Sequence, residues 1–246
     1  MKKLITSFVL IVVMQLSLSI NYGVCQWEQC EGPYGGTVNA LAVSGNTICA
    51  GIIKNYYNSS VVYLSTNNGQ SWTQTGLNDL YVLSIAISMN NIFAGVGGAG
   101  VYRSTNNGEN WTQTALNGGA VYSIAINGNN IFAGIWGSGV WLSTNNGQSW
   151  AQTALNNQDA YSITISGNDI FTGTGGGLFH SSNNGQNWTQ MALNNQNVRS
   201  LAINGDNIFA GTWGNGVYLS TNNGQNWTQT SLNNQDVRSL AVNGDN

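Results

Sequence analysis

The sequence predicts an all-β fold, a β-propeller built from four-stranded antiparallel blades. Three observations carry that prediction. One phrase recurs five times, as STNNGQSW ending at Trp72, STNNGENW at Trp111, STNNGQSW at Trp150, SSNNGQNW at Trp188 and STNNGQNW at Trp227. Its tryptophans stand 39, 39, 38 and 39 residues apart. Each interval holds four short apolar segments separated by Asn-Gly or Gly-rich turns. A period of about 40 residues with four strands per unit is the pattern of a propeller, one repeat to a blade. Helix is disfavoured, because no 3.6-residue apolar periodicity runs for three turns beyond the N-terminal segment.

In chain order, the first element lies outside the repeat. Lys2 and Lys3 precede an apolar stretch from Leu4 to about Ile20, broken by Thr6, Ser7, Gln15, Ser17 and Ser19. A short basic region followed by an apolar one reads as a secretory signal peptide over residues 1–25. The alternative, a membrane anchor, needs about 20 mostly apolar residues, and the unbroken apolar run here is only Phe8 to Met14. The cleavage site stays open: Ser17-Leu18-Ser19 and Gly23-Val24-Cys25 both carry small residues at the required positions. No other segment is long and apolar enough to span a bilayer. The expected location is therefore secreted, periplasmic or cell-surface.

The propeller is expected over residues 26–246. Trp27-Glu28-Gln29-Cys30 resembles the outer-strand text Trp72-Thr73-Gln74-Thr75 and reads as a lone strand D. Trp27 and Trp72 are 45 residues apart, and an insertion around Lys54 to Ser60 accounts for most of the excess. The fifth copy serves as the template for a blade. Val198 to Ile203 is strand A, Ile208 to Gly211 strand B, Val217 to Ser220 strand C, and strand D starts at Trp227. The Asn204-Gly205-Asp206 turn joins A to B; Asn-Gly between apolar runs is a strong hairpin signal, because both positions tolerate positive φ. Leu232 to Asp236 returns to a sixth strand A, so five complete blades are flanked by partial ones. The expectation is a truncated or partial sequence from a ring of six, seven or eight blades. Strand A carries Ala at positions 42, 86, 125, 202 and 241, with Thr164 the exception; small side chains there suit crowding toward the axis, with Ile or Leu on the opposite face filling the space between blades.

Composition narrows the function classes. Charged residues are 6% of the chain and the net charge is −3, with no long run of either sign. Nucleic-acid binding needs clustered Lys and Arg to neutralise phosphate, and docking to anionic lipid needs the same; neither is expected. The cysteines are Cys25, Cys30 and Cys49. A secreted chain permits a disulfide, but Cys49 stands where the other repeats have Phe93, Phe132, Phe171 and Phe209. That apolar position argues for a buried free thiol. No Cys/His spacing suggests a metal, the only histidine is His180, and no cofactor motif is present.

The recurring phrase has its own physics. Its third residue (Asn67, Asn106, Asn145, Asn183, Asn222) can accept hydrogen bonds from backbone N–H groups of its own turn. Gly69, Gly108, Gly147, Gly185 and Gly224 supply positive φ. Trp72, Trp111, Trp150, Trp188 and Trp227 then fold over the turn. A fully buried Trp covers about 150–250 Å², an upper bound of about 4–6 kcal/mol. The phrase Ser-x-Asn-x-Gly-x-x-Trp resembles the Asp-box or BNR repeat, Ser-x-Asp-x-Gly-x-x-Trp, of sialidases, sortilin-type receptors, xyloglucan-degrading hydrolases and photosystem assembly factors. All five copies carry Asn in place of Asp, which keeps the acceptor and removes the charge. The resemblance implies a structural role for these turns, on the C–D side and away from the functional face.

In a propeller the D–A and B–C connections share the other face, where the axis opens. There the repeats vary. The second residue of the strand A phrase reads Asn39, Leu83, Tyr122, Tyr161, Arg199, Arg238; the start of the B–C link reads Ile53, Gly97, Trp136, Gly175, Trp213. Of these, Tyr122, Tyr161, Arg199, Arg238, Trp136 and Trp213 are the candidate ligand-binding residues, since aromatics stack on sugars and arginines hold carboxylates. Lys54, Tyr56 and Tyr57 of the insertion would overhang the same rim. No catalytic residue is assigned. A sialidase-type site would need three convergent arginines, and Arg103 is expected away from the rim. Asp159, Asp169, Asp206 and Asp236 form no closely spaced carboxylate pair of the kind glycoside hydrolysis uses. The expected function is a binding or scaffolding module for a glycan or an extracellular protein. The alternatives are a glycoside hydrolase with catalytic residues outside this segment, and an assembly factor for an exported complex.

Overall fold

The computed structural model describes Gly32 and residues 36–54 and 60–242. The signal segment, the Trp27–Cys30 text, and Tyr56 and Tyr57 lie outside the described residues. Blade 1 contains β1 (Thr37–Ser44), β2 (Thr47–Ile53), β3 (Ser60–Ser65) and β4 (Thr73–Leu80). Blade 2 contains β5 (Val82–Ser88), β6 (Asn91–Val96), β7 (Gly100–Ser104) and β8 (Thr112–Gln113). Blade 3 contains β9 (Val121–Asn127), β10 (Asn130–Ile135), β11 (Gly139–Ser143) and β12 (Ala151–Gln152). Blade 4 contains β13 (Ala160–Ser166), β14 (Asp169–Thr174), β15 (Gly177–Ser181) and β16 (Thr189–Asn194). Blade 5 contains β17 (Val198–Asn204), β18 (Asn207–Thr212), β19 (Val217–Ser220) and β20 (Thr228–Gln229). Each blade is one four-stranded antiparallel sheet paired in sequence order, and among the described residues the ring is not closed.

Blades pack face to face through apolar clusters shared by neighbours. Phe93, Val101 and Leu116 of blade 2 meet Val121, Ile124 and Ile131 of blade 3. The same positions recur between blades 3 and 4, with Phe132 against Ile163, and between blades 4 and 5, with Phe171 against Leu201. Cys49 takes the Phe position between blades 1 and 2, fully buried and free, beside Ile85 and Ile92. Burial pushes its thiol pKa up to about 12.

The details correct several expectations. Ala86 does not face the axis. It packs into the cluster shared with blade 3, while Ile85 and Ile87 pack into the one shared with blade 1. Strand A is thus covered by a neighbour on each face, and alanine fits where the larger Phe93 already fills the gap. The indoles are half-buried rather than buried, so each contributes a fraction of its upper bound. Strand D begins one residue after the Trp and is two residues long in blades 2, 3 and 5. Among the described residues, 237–242 form no ladder, although Val237 N–H still bonds the Thr212 carbonyl at 3.0 Å.

The repeated turns form as the side chains dictate. In blade 3 the Ser143 hydroxyl donates to Asn145 Oδ1 at 3.0 Å and accepts from Gly147 N at 2.8 Å. Asn145 Oδ1 also accepts from Ser149 N at 2.9 Å. Asn146 and Gly147 both take positive φ, 55° and 82°. The indole N–H reaches the turn glycine carbonyl in four blades, as for Trp72 and Gly69 at 3.0 Å.

Candidate functional site

The site is built by a defect repeated in strand A. In each blade the A–B ladder skips one residue: Val82 faces Val96 and Ser84 faces Gly95, leaving Leu83 over. Tyr161 and Arg199 are left over in the same way in blades 4 and 5, as are Asn39 in blade 1 and Tyr122 in blade 3. A β-bulge gives its strand one extra residue and re-aims that side chain. The partner position is glycine because nothing larger fits: a Cβ on Gly95 would lie 2.3 Å from Ser84 Oγ and 2.7 Å from the Val121 carbonyl oxygen.

The extra residues converge. Asn39, Leu83, Tyr122, Tyr161 and Arg199 line one cavity of about 440 Å³, which Arg238, Trp213 and Asp236 also line without being ladder extras. The connections around it are stitched together. Trp213 N–H bonds the Asn197 carbonyl at 2.9 Å, and Trp136 N–H bonds that of Ala120 at 3.1 Å. Five of the six candidate residues therefore come together. Trp136 is 61% exposed on its B–C link and does not line the cavity.

Within the cavity the rings and cations are layered. The Arg199 Cζ lies 3.6 Å from the centre of the Tyr161 ring and 4.5 Å from that of Trp213. Arg238 lies over the same indole at 5.9 Å. Tyr122 meets Tyr161 edge to face at 5.7 Å. The Tyr161 hydroxyl donates to Asp159 Oδ2 at 3.1 Å, and Asp159 Oδ1 accepts from Gly137 N at 2.8 Å. Burial raises the Tyr161 pKa; the Arg199 cation lowers it, and the Asp159 carboxylate raises it again.

Sequence reasoning missed the role of Asp159 as the anchor of Tyr161. The repeat alignment held the signal, because the residue before each strand A reads Tyr81, Ala120, Asp159, Asn197, Asp236. It also missed a pair at the turn side of blade 4, where His180 Nε2 and Asp169 Oδ1 are 2.7 Å apart and the imidazole stacks on Phe171 at 4.7 Å. Arg103 is away from the cavity, donating twice to Asn91 Oδ1, at 3.1 and 2.8 Å.

A family model described as the DUF6242 beta propeller domain matches residues 137–241. No curated protein matches the chain. Among solved structures, a GH74 enzyme from Niastella koreensis is 19% identical over 78% of this chain and 38% of its own, with a TM-score of 0.64. YCF48 bound to D1 peptide is 18% identical over 80% of this chain and 67% of its own, at 0.60. The extracellular domain of the one-component system BT4673 from B. thetaiotaomicron is 22% identical over 78% and 28%, at 0.62. The chain spans 38% of the length of the GH74 enzyme. At such identities the likeness is one of fold, and that fold is the β-propeller.

Proposed function

We propose that this chain is a binding or scaffolding propeller, secreted, periplasmic or at the cell surface, whose ligand is a glycan or an extracellular protein. The location rests on the N-terminal segment. Its turns read as Asp-box turns with Asn for Asp. The ligand sits at the mouth of the axis, on the face of the D–A and B–C connections. One observation carries the reading: the bulge in strand A of each of the five described blades sends a variable residue of the repeat into a common cavity. A scaffold that keeps its core text constant and varies one converging position per blade is organised for recognition.

Binding is favoured over hydrolysis by the state of Asp159, one of the two carboxylates at the rim. Asp159 uses one oxygen on Tyr161 and the other on Gly137 N–H, so it is a positioning group rather than an acid or a nucleophile. Neighbours that act on, or bind, very different partners share this fold, and the fold does not choose among them. Glycan-array and pull-down measurements on the full chain test the reading. Signal on either, lost in Tyr122→Ala, Trp136→Ala and Trp213→Ala, is expected. Turnover of a glucan or sialoside panel would refute it.

A further inference from the structure

The chemistry of the ligand follows from Arg199, granted that the rim is the ligand site. A guanidinium stacked on rings uses its π faces for contact, while its five N–H donors lie in its plane. No described residue accepts a hydrogen bond from Arg199, and its Nε is buried without a partner. Arg103 shows the opposite case: its Nε and Nη2 both bond Asn91. The burial of Arg199 Nε closes it to a ligand, so the donors left for one are the two Nη groups, which have no acceptor among the described residues.

The nearby carboxylates do not answer the demand. Asp159 is turned to Tyr161 and Gly137. Asp236 lines the cavity but makes no ion pair with either arginine. A second cation, Arg238, lies over the same indole. Two like charges gathered on one ring favour an anion between them, and the planar fork of Arg matches a carboxylate with two parallel hydrogen bonds. Around this centre the rim offers flat apolar planes. Trp136 and Trp213 are 61% and 50% exposed, and such flat rings can stack on the apolar face of a sugar.

We propose that the cavity takes an acidic glycan, one bearing a uronate-type carboxylate, with Arg199 receiving the carboxylate, Arg238 adding charge, and the rim indoles stacking on the sugar ring. Tyr161 is then a positioning residue: Asp159 holds its hydroxyl, and its ring holds the guanidinium in plane.

Calorimetric titration of the full chain with oligogalacturonate, oligoguluronate and hyaluronan fragments, each beside its methyl ester, tests this. At least one acid is expected to bind about tenfold or more tighter than its ester. That preference should vanish in Arg199→Gln and weaken in Arg199→Lys, which keeps the charge and loses the fork. Raising salt from about 20 to about 150 mM should narrow it. Asp236→Asn, which removes a like charge from the cavity, should tighten binding by about two- to fivefold. Arg238→Gln, an exposed change, gives a second reading if Arg199→Gln fails to fold. Equal binding of acid and ester, with both lost in Tyr122→Ala, would overturn the acidic ligand and leave the rim as a glycan site. Arg199-dependent binding of polyglutamate without any of the acidic glycans would overturn the sugar and leave the rim as a protein site. Binding of none of these probes would overturn the proposal, and with it the glycan reading of the rim if neutral glycans also fail.

Discussion

Ser143 is 1% exposed, and its hydroxyl both donates and accepts within one turn. Removing it leaves the Gly147 N–H without its acceptor. Ser143→Ala should therefore cost about 1–3 kcal/mol in a urea melt, and a loss within error would mean the turn closes without the hydroxyl. Asn145 is different. Its Oδ1 is the acceptor that matters, from Ser149 N and from the Ser143 hydroxyl, and a carboxylate accepts equally well. Asn145→Asp should stay within about 1 kcal/mol of the parent, whereas Asn145→Leu should not. At this scale the sequence was largely legible. The acceptor at the third position and positive φ at the glycine followed from residue chemistry alone. The burial of the Trp did not, because the indole covers its own turn from outside and exposes an edge that no local rule predicts.

At the scale of the strand, the bulge is the element that makes the site. It depends on glycine across the ladder: a Cβ on Gly173 would stand 2.6 Å from Ser162 Oγ and 2.7 Å from the Val198 carbonyl oxygen. Gly173→Ala should lower stability by about 2–4 kcal/mol and disturb Tyr161 with it. A full-stability variant would show the bulge to be dispensable. The first interface carries a second test. The folded protein keeps the Cys49 proton up to a pKa of about 12, where the unfolded chain gives it up near 9.0. The contribution is complete below that lower value and is lost as pH rises toward the upper one. Stability should fall by up to about 1.4 kcal/mol per pH unit over that window. Cys49→Val should remove that part of the slope; identical slopes in parent and variant would contradict the burial argument. The bulge was not legible, since a skipped ladder position leaves no mark in composition. The converging positions were, because five aligned copies reveal which residue varies.

The whole molecule gives the same repeat residue different surroundings. Leu201 is 8% exposed at the interface of blades 4 and 5, and its counterpart Leu41 on the outer face of blade 1 is 60% exposed. Leu201→Ala should cost about 2–5 kcal/mol and Leu41→Ala less than about 0.5 kcal/mol. Comparable losses would mean that the outer face of blade 1 is covered in solution. The five four-stranded repeats and the tryptophan-marked turns could be read before the fold was known, as could the gathering of the variable strand A residues. The stacking of Arg199 on rings from two blades could not, because it depends on how neighbouring sheets meet. On the proposed reading, the repeats aim recognition at one end of the axis. The most direct measurement compares glycan-array binding by two variants that lose the same charge on opposite sides. Arg199→Gln should abolish the signal while Arg103→Gln leaves it unchanged. Equal losses in the two, or loss only in Arg103→Gln, would contradict the account.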